Sequence, residues 1–519
     1  MSGGHLSMDG CRAAVNPGGS IVTGGDAEWG PLPYCRESHP SGPNFGQAMS
    51  LPSRCLRLAA AGVLALAPPL HAQADTVTAI VGATLWDGPG AEPVPGAVVL
   101  VQGGTVRCAG PAAECPVPTG AVVVDAAGRY LLPGLIDTHV HLLFRSGGQT
   151  DPVIRRDLHD LLARGITAVR DMGNSPIPLL EAARLAAPAP QVFAMQLVAG
   201  IHFFSPEVER RPDGNVARHA PAATGMRQLG WFPIMFPPEG NAASVIETAR
   251  DGGAIGLKLY QDLDSSQVAR LVVAAHAVGM PVWGHGWVQP ASVREQAQAG
   301  QDGVVHAAGL VGELIARATR DTLRTSTSLL EVTADSAVSA EAARRPSVLA
   351  TLDTLVAYGT FLEPTLDATL LSAHRAEISE SRPHRRPAQA LPDRYAIAAS
   401  VFGMEVTREA ARRGVRLTAG TDHVAFGPDE ERAQLNTELQ LFVDSIGLTP
   451  ARALLAATRD AAIAIGPVAK DLGTVAAGKR ADLVLLEADP LADIANLQRV
   501  EWVMLAGRRY RPAELRALP

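Results

Sequence analysis

An excess of positive charge is missing from this chain: 45 Lys and Arg stand against 52 Asp and Glu, for a net charge of −7 and an isoelectric point near 6.1. Without a basic footprint, nucleic acid is not an expected partner. Aromatic residues are scarce at 4%, which argues against a surface that stacks bases or sugars. Cysteine is scarcer, five in 519 residues, and Cys11, Cys35 and Cys55 fall in a leading segment that reads as separate from the fold. The apolar run of that segment, Leu58–Leu70, is too short to anchor the chain in a bilayer. A Gly-rich phosphate turn is also lacking where a doubly wound nucleotide-binding sheet would need one.

What is present points to a large, well-buried globular protein, with 47% hydrophobic residues and a mean hydropathy of +0.10. At 519 residues the chain exceeds one compact core, so two or three domains, or one large barrel with an accessory domain, are expected. Residues 1–48 are rich in Gly, Pro and Ser without periodicity and read as an over-extended, disordered N-terminus. From Met49 the order is Arg54 and Arg57, then Leu58–Leu70, then Ala72-Gln-Ala74, the pattern of a secretory signal peptide over 49–74. The mature chain is expected to begin near Asp75 and to work in the periplasm or outside the cell, with no membrane anchor after cleavage. Cys108 and Cys115, seven positions apart around Gly110 and Pro111, can close a small disulfide loop in such an oxidising compartment.

From Val77 to Val124 short β-like runs alternate with Gly- and Pro-rich turns, and similar runs return at Ala481–Leu486 and Glu501–Leu505. These suggest a small β-sandwich built from both chain ends, residues 75–134 and 448–519, the latter beginning with a helix. The middle, residues 135–447, alternates strands and helices. Strand candidates are Leu135–Thr138, Ile166–Arg170, Gln191–Leu197, Ile255–Tyr260, Pro281–Gly284, Gly303–Val305, Thr360–Thr365 and Val415–Ala419; helix candidates include Asp157–Arg164, Ser265–Val278 and Ala396–Arg413. Eight such units predict an α/β protein with a (β/α)8 barrel of the TIM type. The stretches 202–240, 309–350 and 371–395 exceed the minimal repeat and belong in loops over the active face.

The segment Leu131-Leu-Pro-Gly-Leu-Ile-Asp-Thr-His-Val-His141 ends an apolar run in two histidines one residue apart. Alternate side chains on a strand share a face, so His139 and His141 can offer two imidazoles to one metal. Lys258, His285, His306 and Asp422 each follow a short apolar run too, as ligands at the C-terminal rim of a barrel would. Each has an ordinary alternative: His285 and His306 as packed core histidines, Asp422 as a turn cap. Lys258, within Ile255-Gly-Leu-Lys-Leu-Tyr260, is the most informative, because a buried ammonium needs a partner or a chemical change. A carbamate formed from CO2 would turn it into an anion able to bridge two metals.

The motifs LLPGLIDTHVHL, GITAVRDMG, IGLKLY, VWGHG, GVVHAAG and LTAGTD, with Thr437–Leu439 and the tail from Leu472 to Val484, together resemble the amidohydrolase superfamily, in its imidazolonepropionase-like and prolidase-like (Xaa-Pro dipeptidase) branch. The resemblance implies that His139 and His141 hold one divalent ion with Asp422, that His285 and His306 hold a second, and that carboxylated Lys258 bridges them. Zinc suits such a set, with manganese or cobalt as alternatives. Asp422, Lys258 and His285 are the expected catalytic residues, and a metal-bridged hydroxide the expected nucleophile. Tyr260, His202 and Arg170 are candidates for substrate binding; where the branch has a Gly- and His-rich segment after strand three, this chain has Ala199-Gly-Ile-His202.

The function expected from this set is hydrolysis of an amide C–N bond in a small substrate, an Xaa-Pro dipeptide or an N-acyl amino acid. Lactone, ester or phosphotriester hydrolysis on the same metals is the second reading, and a barrel scaffold without catalysis the third. A homo-oligomer is compatible with either enzyme.

Overall fold

A computed structural model of the protein describes residues 76–88, 92–143, 152–201, 233–320, 340–380, 390–424 and 433–518. The expected leader over residues 1–74 and His202 lie outside the described residues. The strands are β1 (Thr78–Leu85), β2 (Val94–Gln102), β3 (Thr105–Gly110), β4 (Val122–Asp125), β5 (Tyr130–Pro133), β6 (Leu135–His141), β7 (Ile166–Asp171), β8 (Gln191–Ala199), β9 (Ile234–Met235), β10 (Gly256–Leu259), β11 (Val282–His285), β12 (Gly303–Val305), β13 (Phe361–Glu363), β14 (His423–Val424), β15 (Leu483–Leu486), β16 (Val500–Leu505) and β17 (Arg508–Tyr510).

Strands from both chain ends form one eight-stranded sheet in the order β17-β16-β15-β5-β1-β2-β3, with β4 also on β1. β15 joins β5 antiparallel, from Leu483 opposite Pro133 to Leu486 opposite Tyr130, so the C-terminal strands complete what the N-terminal ones begin. Apolar residues fill its core, among them Ile80, Val99, Leu131, Leu483 and Met504. Cys108 and Cys115 are bonded, with Cα atoms 5.7 Å apart, as their spacing suggested.

Gly134 carries the chain from this sheet into the next. A Cβ there would sit 2.1 Å from the Thr167 hydroxyl oxygen, so only glycine lets β5 turn so closely into β6. The second sheet runs β13-β12-β11-β10-β8-β7-β6-β14, with β9 on β8, and every pair in it is parallel. All seven residues of β6 are buried, as expected for a parallel strand covered on both faces. Val415–Ala419 is extended but meets its neighbour in one bridge, Leu417 to Leu362. Backbone bonds from Leu362 N to Arg416 O (2.9 Å) and from Thr138 N to Ala419 O (3.2 Å) nevertheless link this segment to β13 on one side and β6 on the other. The result is a mixed α/β fold with a curled parallel sheet of the TIM-barrel kind.

β13 is shorter than the expected Thr360–Thr365, because Pro364 cannot donate to the ladder and Thr365 turns left-handed, φ 54°. Helices not anticipated lie at Ala242–Asp251, Pro346–Tyr358 and Leu366–Glu380. Leu366–Glu380 packs against Ala390–Arg413, so much of the surplus stretch 371–395 is a helical pair standing beside the sheet's C-terminal rim.

Candidate metal centre

Five of the expected site residues reach one spot because each ends, or follows within three residues, a strand or extended segment of the curled sheet. His139 and His141 close β6; His285 closes β11; His306 follows β12; Asp422 follows the segment Val415–Ala419. The two turns after strands are left-handed at the ligand itself, φ 64° at His306 and 58° at Asp422, conformations costly for non-glycine residues and commonest at functional sites. Asp137 stabilises the first of these ends. Its carboxylate accepts from His139 N (3.1 Å), Thr421 N (3.1 Å) and the Thr421 hydroxyl (2.7 Å), while Asp422 N donates to His139 O (2.9 Å). These bonds lock β6 to the turn that carries Asp422.

The ligand atoms of His139, His306 and Asp422 lie within 4.8 Å of one another. His141 Nε2 is 3.1 Å from Asp422 Oδ1 and 3.3 Å from His139 Nε2. The His285 ring stands 4.6 Å from that of His306, and its Nδ1 accepts from Trp287 N at 3.1 Å. Lys258, in β10, faces the same cavity of about 480 Å³. Its side chain is 1% exposed and its Nζ has no hydrogen-bond partner among the described residues.

Burial pushes the imidazoles of His139, His285 and His306 far down, so they are neutral, with a lone pair to offer. Burial likewise pulls the Lys258 amine down to about 7, against the opposing pull of Glu363 and Asp422. Burial alone would raise the Asp422 carboxyl, but His139, His141 and Lys258 together hold it below its ordinary value. Burial pushes the Tyr260 hydroxyl far up, so it remains a protonated donor. Its ring lies edge-on to His285, 4.7 Å between centroids.

Not every expected site residue belongs here. Arg170 is fully buried and turned away from the cavity. Its Nε donates to Thr138 O (2.8 Å), one terminal nitrogen to Ala464 O (3.1 Å) and the other to Glu363 Oε2 (2.9 Å), and its guanidinium lies 3.8 Å above the Trp283 ring. The substrate-carboxylate role expected of it gives way to one inside the barrel, because Glu363 supplies the counter-charge that was taken to come from a substrate. Glu363 itself was not anticipated: its Oε1 is 2.8 Å from His139 Nδ1. A charged residue inside the apolar Phe361-Leu-Glu363 strand was its one signal. The cavity wall formed by Thr369, Ser372, Tyr395, Ala396 and Ala399 was also missed, although Ser372 and Tyr395 fall in the surplus stretch 371–395 expected over the active face.

A curled parallel sheet with imidazoles, a carboxylate and a buried lysine at its C-terminal rim defines a barrel protein with a candidate metal site. The chain belongs to the amidohydrolase family, which it matches over residues 130–509. It is 36% identical to the imidazolonepropionase of Acidiphilium cryptum over 103 residues, 19% of this chain and 25% of that one. With the ochratoxinase of Aspergillus niger it shares 38% over 89 residues, 17% of either chain. With adenine deaminase 3 of Rhizobium meliloti it shares 28% over 203 residues, 37% of this chain and 29% of that one. Each of these three matches thus spans less than a third of the relative's length. Likeness of fold reaches further: a crystal structure of an Xaa-Pro dipeptidase with methionine in its active site aligns at TM-score 0.61 and 20% identity, covering 84% of this chain and 100% of that one. The A. niger ochratoxinase structure aligns at TM-score 0.60 and 18% identity, covering 84% and 96%.

Proposed function

We propose that this chain is a metal-dependent hydrolase that cleaves an amide C–N bond in a small substrate, an Xaa-Pro dipeptide or an N-acyl amino acid. The observation that carries the reading is the Lys258 amine, buried and without a hydrogen-bond partner among the described residues, in the cavity where four histidines and Asp422 meet. A buried amine in that state is costly unless something else completes it. The donor set fits divalent cations: neutral imidazoles, a carboxylate held ionised, and an amine near neutrality that can take up CO2 as a carbamate. His139, His141 and Asp422 would hold one ion, His285 and His306 a second, and carboxylated Lys258 would lie between them; nitrogen-rich ligands favour zinc.

Such ions, when bound, polarise a carbonyl and make water acidic enough to attack near neutral pH. The rest falls to the protein. The Asp422 carboxylate takes the proton of the attacking water and returns it to the leaving nitrogen, which must be protonated to depart. The Tyr260 hydroxyl is placed to donate to the substrate's carbonyl or carboxylate oxygen. Ala308, Ala368, Ala396 and Ala399 leave room for an apolar side chain, and Tyr395 adds a hydroxyl to that wall. The names of the relatives, imidazolonepropionase and ochratoxinase, and the fold of an Xaa-Pro dipeptidase support a hydrolase of this kind.

The Cys108–Cys115 disulfide supports export to an oxidising compartment after loss of a signal peptide. We also read the two-ended sheet as closing on itself as a small β-sandwich beside a complete (β/α)8 barrel. The test of function is a panel of Xaa-Pro dipeptides, N-acyl amino acids, lactones and phosphotriesters offered to the zinc-loaded chain. Turnover of the amides, abolished by a chelator, is expected; turnover confined to the lactones or phosphotriesters would move the enzyme to the second class.

A further inference from the structure

The Arg170–Glu363 pair lies inside the barrel, both side chains 0% exposed, at a place where apolar packing would serve stability as well. Its position is more informative than its charge. One carboxylate oxygen of Glu363 meets Arg170, and Thr418 also donates to it (3.3 Å); the other meets Nδ1 of His139 at 2.8 Å. Burial pushes the Glu363 carboxyl up, but the Arg170 guanidinium bonded to it favours the ionised form; an ionised carboxylate only accepts, so Nδ1 carries the hydrogen, and a neutral imidazole so held keeps its lone pair on Nε2. That nitrogen is the one turned toward His141 Nε2 (3.3 Å) and Asp422 Oδ1 (3.4 Å).

Two further features hold the carboxylate in place. Arg170 is itself fixed by Thr138 O, Ala464 O and the Trp283 face, and Trp283 Nε1 donates to the same Ala464 O at 3.2 Å. Gly420 leaves the junction open, since a Cβ there would lie 2.6 Å from both Glu363 Cδ and His139 Cβ. We propose that Glu363 is a positioning residue: it selects the Nδ1–H form of His139 and aims its Nε2 at the metal, while Arg170, laid on Trp283, fixes where that carboxylate stands. The proposal rests on the metal reading above.

Replacing both members by apolar residues, Glu363→Leu with Arg170→Met, removes the pair without leaving a buried charge alone. The double variant should fold and melt as a cooperative unit yet bind zinc about 10–100-fold more weakly in chelator competition, the usual cost of losing such an outer partner. Its cobalt-substituted form should show a changed visible spectrum. Glu363→Gln in the Arg170→Met background should recover part of the affinity, because the amide oxygen can still accept from Nδ1. Should the double variant not fold, 15N NMR of the metal-free wild-type chain, with His139 assigned by its loss in His139→Gln, decides the matter: the Nδ1–H tautomer is expected. A double variant that binds zinc as tightly as wild type, or an Nε2–H tautomer at His139, overturns the inference alone. A wild-type chain that takes up no divalent ion overturns the functional reading and this inference together.

Discussion

The sheet's two mouths carry similar chemistry in opposite states. At the N-terminal mouth a cavity of about 420 Å³ is lined by residues that precede or begin strands of this sheet, among them His276, Asp302, Phe361 and Arg416, and by the stretch around Ala464. There His276 Nε2 meets Asp302 Oδ2 at 2.8 Å, the same oxygen accepts from Val282 N at 2.7 Å, and Arg416 stacks 3.9 Å above Phe361. At the C-terminal mouth burial holds His139, His285 and His306 neutral, and Lys258 ends in a nitrogen without a hydrogen-bond partner among the described residues. Charges at the first mouth are half-exposed and answered within the chain. At the second, the Lys258 amine is buried and, with the partly buried Asp422 carboxylate, faces a cavity, an arrangement that makes physical sense when a ligand from outside completes it.

The largest effect expected from this contrast is at Lys258. Lys258→Ala should lose dinuclear zinc binding and turnover by more than the ~10–100-fold that an outer partner costs, with the circular dichroism of the fold unchanged. Acetate or propionate should restore part of the activity by filling the vacated bridge, whereas Lys258→Arg, with fixed positive charge, should not respond. Ordinary activity in Lys258→Ala without added acid would erase the contrast.

A second effect follows from acidity. The buried amine is protonated below about pH 7 and neutral above it, and only the neutral amine takes up CO2. Rebuilding active enzyme from metal-free chain and zinc, at a fixed concentration of dissolved CO2, should therefore slow by about tenfold per pH unit below that value. A rate flat from pH 5 to 8 would contradict this.

Smaller effects belong outside the rim. Cys108→Ser with Cys115→Ser opens a short loop and should cost about 2 kcal/mol in chemical denaturation, with zinc binding untouched. Least of all, His276→Ala breaks a half-exposed pair at the far mouth and should cost about 0.5 kcal/mol or less, with kcat/KM unchanged. A large loss of activity from His276→Ala would show that the two mouths are not distinct in function.

The rim was legible because its signals are local. Two histidines at period two, and a lysine, two more histidines and an aspartate at or just past short apolar runs, need only the alternation of a strand to share a mouth. Arg170 shows where local reading stops. It too lies near a strand end, but its partner Glu363 is 193 positions away, and no periodicity tells whether a cation points into the barrel or out of it. Glu363 escaped notice for the same reason, since its meaning lies in His139, 224 positions away. The helix Leu366–Glu380 left no clear pattern because its residues answer to a cavity on one side and a partner helix on the other. Of the closing strand Val415–Ala419 the place was legible but not the pairing, which came down to a single bridge at Leu417.

Metal content tests the central claim most directly. The chain, equilibrated with zinc and bicarbonate and then desalted, should carry roughly two ions by elemental analysis, as bridged hydrolase sites do, and His139→Ala should lose at least one of them while keeping its fold. Equal metal content and equal activity in the wild-type chain and His139→Ala would contradict the account.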